Sequence, residues 1–238
     1  VFFILYATKV FALDASEYFE YGKNAYQNAK YSLAVDFFKK TLALKPERDL
    51  REKTLYYLSL SLYYNEEYKS SIEYILKFLN EYPQSVYREQ LNFILGASYY
   101  KLKDYETALA RLRKYLSAYP GGRWELDARI LIGYSLLFIN QYPQAIEEWN
   151  EILKKFPSGK RVDEITLRLG QSYFYEENYE EAKNTLKSFL SKFPSSPYKK
   201  EAEFFLGKSL YFLNRYEEAL NVLTSVSADE MFNYYEDV

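Results

Sequence analysis

The chain has 238 residues, 31 Lys and Arg against 33 Asp and Glu, a formal charge of −2, and 20% aromatic content that includes 28 tyrosines. So even a balance provides no whole-chain attraction to nucleic acid or anionic lipid, and no run of four or more basic residues offsets it. The absence of His and Cys excludes Cys/His zinc sites, thiol and Ser–His nucleophiles, histidine haem ligation and disulfides.

Val1–Ala7 is an apolar run, too short to span a bilayer. Thr8–Lys9 follows, and then Val10-Phe11-Ala12, which has the small-x-Ala form of a signal-peptidase site. Residues 1–12 therefore read as the back half of a secretory signal, with an apolar first helix as the alternative. Export from the cytoplasm is the expectation.

From about residue 15 the chain repeats itself every 37 residues. Prolines stand at 46, 83, 120, 157 and 194; tyrosines at 31, 68, 105, 142, 179 and 216. Gly22, Gly96, Gly133, Gly170 and Gly207 keep the same register, with Ser59 in the vacant place; Ala34, Ala108, Ala145, Ala182 and Ala219 do likewise, with Ser71. The spacing predicts six repeats near 15–51, 52–88, 89–125, 126–162, 163–199 and 200–236, together a single solenoid over 13–238.

Each repeat contains two amphipathic segments of about a dozen residues, too short to be stable helices alone. In the fifth, Val162, Ile165, Leu167, Leu169, Tyr173 and Phe174 lie at near-helical spacing. Glu176-Glu177-Asn178 makes the turn, and Tyr179, Ala182, Leu186, Phe189 and Leu190 continue to the breaker Pro194. Glu180 and Glu181 at the start and Lys192 near the end suit the helix dipole. Asp49 with Glu52 reads as a capping box opening the second repeat, and Ser196-Pro197 as an N-cap followed by proline at the first helical position. A mid-helix glycine costs about 1 kcal/mol relative to alanine. Its recurrence implies close helix approach, with the alanine column twelve residues later as the facing surface.

Leu95-Gly96-Ala97-Ser98-Tyr99, Leu169-Gly170-Gln171-Ser172-Tyr173 and Leu206-Gly207, with the Ala and Pro columns, resemble the tetratricopeptide repeat. The resemblance covers about residues 15–226 and implies an all-α, right-handed superhelical solenoid. The period of 37 exceeds the family's 34, the three additional residues falling at the junction after proline. Together with Tyr82-Pro83-Gln84-Ser85 and Phe193-Pro194-Ser195-Ser196-Pro197-Tyr198, that longer period is similar to a bacterial envelope subgroup. That subgroup includes the outer-membrane β-barrel assembly lipoprotein and the Tol–Pal-associated periplasmic coordinator. The resemblance implies a periplasmic scaffold for partner proteins; without a cysteine to acylate, a soluble form is expected rather than a lipid-anchored one.

Carrying over the family's concave positions designates Phe19, Lys23 and Tyr26, then Lys53, Tyr56, Tyr63 and Tyr64, then Phe93, Tyr100 and Lys101. The later repeats contribute Asp127, Tyr134 and Phe138; Glu164, Gln171, Phe174 and Tyr175; and Glu201, Phe204, Lys208, Tyr211 and Phe212. This would be an aromatic groove, basic early and acidic later, in which tyrosine offers contact area and a hydroxyl at low entropic cost. The competing reading packs many of these rings between helices. For the tyrosine column itself, the repeat-building role is the expected one.

The carboxylate pairs Glu66/Glu67, Glu147/Glu148 and Glu217/Glu218 read as solvated turns or exposed helix starts. No converging acid, base and nucleophile appears, so no enzyme activity, cofactor or metal is expected. Expected partners are proteins or peptides of the cell envelope, with no nucleic acid and no membrane span in the mature chain. The alternatives are a helical accessory region of a larger envelope enzyme or peptidoglycan-binding protein, and an architectural role using the convex face. At the C-terminus the proline column would fall on Met231 and lapses, which predicts either a continuation or a docking end.

Overall fold

The computed structural model describes residues 13–159, 161–224 and 226. The expected signal remnant at 1–12 and the lapse around Met231 lie outside them. Among the described residues every regular element is a helix: α1 Ala15–Gln27, α2 Tyr31–Ala43, α3 Arg48–Tyr64, α4 Tyr68–Glu81, α5 Arg88–Lys101 and α6 Tyr105–Ala118. These are followed by α7 Glu125–Phe138, α8 Tyr142–Lys155, α9 Val162–Tyr175, α10 Tyr179–Lys192, α11 Lys199–Phe212 and α12 Tyr216–Leu223. Odd-numbered helices are the first of each repeat and even-numbered ones the second. The helices form two compact units, one up to Leu102 and one from Lys103. In each, every helix packs on its chain neighbour, and consecutive first helices also touch: α1 with α3, α3 with α5, and α9 with α11.

This layering explains the hydrophobic pattern. First helices have neighbours on most sides, so α3 buries Thr54, Leu55 and the whole run Leu58–Leu62. Second helices bury one stripe, as in α4 with Ser71, Ile72, Ile75 and Phe78, the pattern of an outer amphipathic helix.

Each second helix begins on its column tyrosine because the preceding turn is built the same way every time. Ala29, Glu66, Lys103, Asn140, Glu177 and Asn214 all adopt left-handed backbone, with φ between 50° and 65°. In the second repeat the Glu66 amide donates to the Tyr63 carbonyl and the Glu67 amide to that of Leu62. Ala29/Lys30, Asn140/Gln141, Glu177/Asn178 and Asn214/Arg215 repeat the pair of bonds. This is the Schellman closure, usually made with glycine; here side chains occupy a conformation that costs them about 1–2 kcal/mol.

The recurrent glycines sit where a second helix crosses a first. A Cβ on Gly133 would lie 2.5 Å from the Trp149 ring, one on Gly22 2.7 Å from Phe38, and one on Gly170 2.7 Å from Leu186. The side chain seated on the glycine is thus sixteen residues downstream, not the alanine twelve downstream. The latter position is also at the crossing, since the Ser71 hydroxyl donates to the Ser59 carbonyl at 2.9 Å. A further column accompanies it: Ser61, Ser98, Ser135, Ser172 and Ser209 are fully buried. Each hydroxyl donates to the carbonyl four residues earlier, so a small polar side chain is buried there without an unsatisfied group.

Two expected caps differ. α3 starts at Arg48 with Glu47 as N-cap and no side-chain cap bond, so Asp49/Glu52 is not a capping box. The capping box is on α1, between Asp14 and Glu17. α11 starts at Lys199 with Tyr198 as N-cap. Ser196 lies in the turn before it, accepting from the Tyr198 amide and donating to Asp163. Pro197 is therefore not a helical residue. Glu147 and Glu148 lie in the middle of α8 rather than at an exposed start.

Gly133→Ala forces a methyl against a buried indole and should cost about 1–3 kcal/mol, with a shift in tryptophan emission, as measured by denaturant unfolding. Glu177→Gly, which relieves the left-handed turn, should stabilise by roughly 0.5–1 kcal/mol. Equal destabilisation by both would contradict this account of the two columns.

Candidate functional site

The designated first-helix residues separate into three groups. Phe19, Phe93, Phe174, Phe204 and Gln171 are buried, and their assignment to an open groove is corrected. A first helix packs on a second helix and on a neighbouring first helix, as α1 does on α2 and α3, α5 on α4 and α3, and α11 on α10 and α9, so these positions are turned inward. Phe174, for example, meets Tyr175, Tyr179, Phe205 and Phe212 at ring-centroid distances of 5.5–5.9 Å.

A second group forms the clamp around the tyrosine column. Four column tyrosines meet the ring five residues earlier edge-on or tilted: Tyr31 with Tyr26, Tyr68 with Tyr63, Tyr179 with Phe174, and Tyr216 with Tyr211. Four of the column tyrosines stack on the last ring of the next first helix, 33 residues later. Tyr31 stacks on Tyr64 at 5.1 Å, Tyr105 on Phe138 at 4.6 Å, Tyr142 on Tyr175 at 5.5 Å, and Tyr179 on Phe212 at 4.8 Å. Such pairs contribute about 0.5–1.5 kcal/mol beyond burial. Tyr26, Tyr64, Phe138 and Tyr175 thus bind repeat to repeat, Tyr63 braces Tyr68 within its own repeat, and none of the five is fully buried. Burial, and the phenols of Tyr68 and Tyr64 beside it, push the Tyr63 phenol up to about 12; these hydroxyls are neutral donors at physiological pH. In the second repeat Tyr56 stacks on Tyr87 at 4.2 Å and donates to Gln90 at 2.7 Å.

The third group is the charge set, and it is largely internal. The expected acidic half of the groove is consumed by two arginines. Arg161 donates twice to Glu164, at 2.7 and 2.8 Å, and Asp127 stands 3.9 Å from the same guanidinium. Tyr134 donates to Glu164 at 2.5 Å. Arg168 donates to the Tyr134 oxygen at 3.0 Å and to Gln171 and Glu201 at 2.6 Å. Gln171 also donates to Glu201 at 2.6 Å. The network ties α7, α9 and α11 together with every member paired, the condition under which buried polar groups are tolerated. Burial works to raise the Glu164 carboxyl, but hydrogen bonds from Arg161 and Tyr134 outweigh it and hold it below the ordinary value of about 4.5. Burial lifts the Tyr134 phenol; the Arg168 charge opposes, and donation to Glu164 adds to the rise. Only the 37-residue spacing of Asp127, Glu164 and Glu201 hinted at this cluster; Arg168 belongs to no column.

The early lysines sit among the chain's own carboxylates. Lys23 lies 3.9 Å from Glu20. Lys53 is exposed at a cleft of about 620 Å³ that Asp14, Glu20, Glu47 and Asp49 also line. Lys101 is exposed at the end of α5. The Lys208 ammonium lies over the Phe174 ring at 4.7 Å and Phe204 at 5.3 Å. The outward-facing remainder is therefore aromatic with scattered lysines: Tyr64 at 42% exposure and Tyr211 at 57%, with Tyr26, Tyr63, Tyr175, Lys101 and Lys208 beside them.

Among the described residues no group of acidic side chains is arranged to hold a metal ion, and no helix is long and apolar enough to cross a membrane. Paired helices in 37-residue register, aromatic clamps and a first-helix layer define a tetratricopeptide-type solenoid, a scaffold for protein–protein interactions. Within that class the chain belongs to the YfiO family, described as outer membrane lipoprotein, which matches residues 12–104 and 96–203. Its fold is similar to YrrB, a TPR protein with an unusual peptide-binding site, at 20% identity and TM-score 0.63, covering 80% of this chain and 92% of that one. A tetratricopeptide repeat protein from Parabacteroides merdae is similar at 14% identity and TM-score 0.69, over 89% of this chain and 78% of its own. The MamA protein is similar at 19% identity and TM-score 0.63, over 76% and 92% respectively. No curated protein matches the chain in sequence.

Arg168→Met leaves Tyr134, Gln171 and Glu201 without their shared donor and should cost about 3–5 kcal/mol in chemical unfolding. Glu164 has a depressed folded pKa, so its contribution is present above its unfolded value and is lost as pH falls through the folded one. Glu125, lowered by the Lys155 hydrogen bond against burial and further by Arg129, acts in the same sense. Unfolding stability should therefore fall on acidification below about pH 4.5, and Glu164→Gln should flatten that slope while lowering stability at neutral pH.

Proposed function

We propose that the protein is a non-catalytic scaffold exported to the periplasm, holding an envelope protein or peptide against the tyrosine- and lysine-bearing faces of its first helices. The observation that carries the reading is the aromatic clamp. It uses one face of a ring such as Tyr64 for repeat-to-repeat cohesion and leaves ring surface outward, both there and at Tyr211. Pre-positioned rings cost little conformational entropy on binding, and neutral phenols beside Lys101 or Lys208 suit a partner that is apolar with some acidic groups. Membership in a family described as outer membrane lipoprotein supports an envelope partner, and the apolar segment ending Val10-Phe11-Ala12 supports export. The peptide-binding site named for YrrB supports a peptide or extended segment as the bound form.

Site-specific photo-crosslinking in cells tests the assignment. A benzophenone amino acid replacing Tyr64 should give discrete adducts to an envelope protein. The same group at Leu76, exposed on the second helix α4, should give few. Equal adducts at both places, or none at Tyr64, would remove the first-helix face as the binding surface. Protection of the chain from protease in intact cells and its digestion in spheroplasts should accompany export.

A further inference from the structure

One charge pair recurs between the first turn of a first helix and the end of the second helix of the same repeat. In the second repeat it is Arg51, just inside α3, with Glu81, a bidentate pair at 3.0 and 3.2 Å. In the fourth repeat the same two register positions hold Glu125 and Lys155, the signs reversed, at 2.5 Å. There Arg129 extends the pair by donating to Glu125 at 3.1 Å and to Glu148 at 2.8 Å, so four long side chains fill the groove between α7 and α8. In the third repeat Arg88 has alanine opposite, and it donates instead to the backbone carbonyls of Leu79 and Tyr82.

The fifth repeat keeps half of the device. Lys192 occupies the place of Lys155, but Val162 replaces Glu125, Thr166 replaces Arg129 and Thr185 replaces Glu148. The short side chains leave a cleft of about 560 Å³ among α8, α9 and α10. Its apolar surface is Leu153, Val162, Leu169 and Phe193, its hydroxyl wall Thr166, Thr185 and Ser188, and among the described residues its one charged lining group is Lys192. Thr185 and Ser188 make no side-chain hydrogen bond to another described residue, and no described carboxylate lies within ion-pair distance of Lys192. The Thr166 hydroxyl donates to the Val162 carbonyl at 2.6 Å, leaving its oxygen free to accept.

We infer that this cleft is a second interaction site, made to receive a glutamate side chain of a partner protein. The carboxylate takes the place that Glu125 holds in the neighbouring repeat and pairs with Lys192. The glutamate stem and an adjacent apolar residue lie on Leu169, Val162 and Phe193. Backbone amides of the partner donate to the threonine and serine oxygens. Charge complementarity selects the occupant: the repeat supplies the cation, the apolar floor and the hydroxyls, and lacks only the acid that its neighbour carries in cis. The site stands apart from the first-helix rings and does not depend on them.

Titration of the 15N-labelled full chain with acetyl-Leu-Glu-Leu-amide, followed by amide chemical shifts, tests the inference. Expected are saturable shifts at Thr166, Leu169, Thr185 and Ser188, with an affinity on the order of a millimolar. Binding should weaken roughly three- to five-fold with acetyl-Leu-Gln-Leu-amide, or in Lys192→Gln, as for loss of one solvent-exposed ion pair. Val162→Glu restores the internal pair and should abolish binding while leaving shifts in the other repeats unchanged. Thr185→Glu, which supplies the acid from α10, should do the same and serves if Val162→Glu perturbs the fold. No saturable shift with either peptide, equal binding of the two, or binding that survives both acidic variants would overturn the inference. So would matching saturation by butyrate alone, which would make the cleft a site for small carboxylates rather than for a protein segment.

Discussion

The architecture depends on how closely a second helix can cross the first helix of its own repeat. At Gly22, Gly133 and Gly170 a large side chain rests directly on backbone, with no room for even a β-carbon. That contact places Phe38, Trp149 and Leu186 fully inside and sets the separation of the two layers. Everything built on the layers inherits it. The left-handed turn that reverses the chain, the tyrosine that opens the next helix and the ring it stacks on all recur because the crossing recurs. A glycine in a helix is unfavourable by itself, and it persists here because dispersion contacts with a buried ring exceed that cost.

Aromatic side chains serve two purposes in the same positions. Tyr31 and Tyr179 each join the ring before them edge-on or tilted and the ring of the next repeat face-on, so part of the cohesion within each unit comes from planar contacts that tolerate small changes in angle. The same rings present their remaining faces outward. A binding surface made this way is ordered before a partner arrives, because the forces that place each ring are those that hold neighbouring repeats together. Charge is used more locally. The network of Glu164, Arg161, Tyr134, Arg168, Gln171 and Glu201 satisfies itself among α7, α9 and α11. It specifies how those helices meet and leaves little for a ligand.

Divergence among repeats is the other side of this regularity. Where the repeat depends on a few small, aromatic and left-handed positions, the charges at other positions can differ from one repeat to the next. The groove occupied by Arg51 and Glu81 in one repeat, by Glu125, Arg129, Glu148 and Lys155 in another, and by nothing so large beside Lys192 in a third illustrates that freedom. A repeat protein acquires distinct sites in this way, one repeat at a time, on a scaffold that does not change.

The sequence alone determined the all-helical repeat and where its second helices begin, because a requirement repeated along the chain leaves a column of identical residues. Gly22, Gly133, Tyr105, Tyr142 and the buried serines from Ser61 to Ser209 form such columns, whereas the left-handed turns, held by Ala29, Glu66, Lys103, Asn140, Glu177 and Asn214, do not. The protein-binding class was legible for the same reason, since the solenoid and its function share those columns. Which rings face outward was decided only by the tertiary structure. Phe174 and Tyr175 are adjacent on one helix, yet one lies among four neighbouring rings and the other lies half open. Pairing of Arg168 with Glu201 joins side chains 33 residues apart, and the arginine belongs to no column. Burial and ion pairing are properties of two helices meeting, and a single amphipathic pattern does not record which of its residues the next helix will cover.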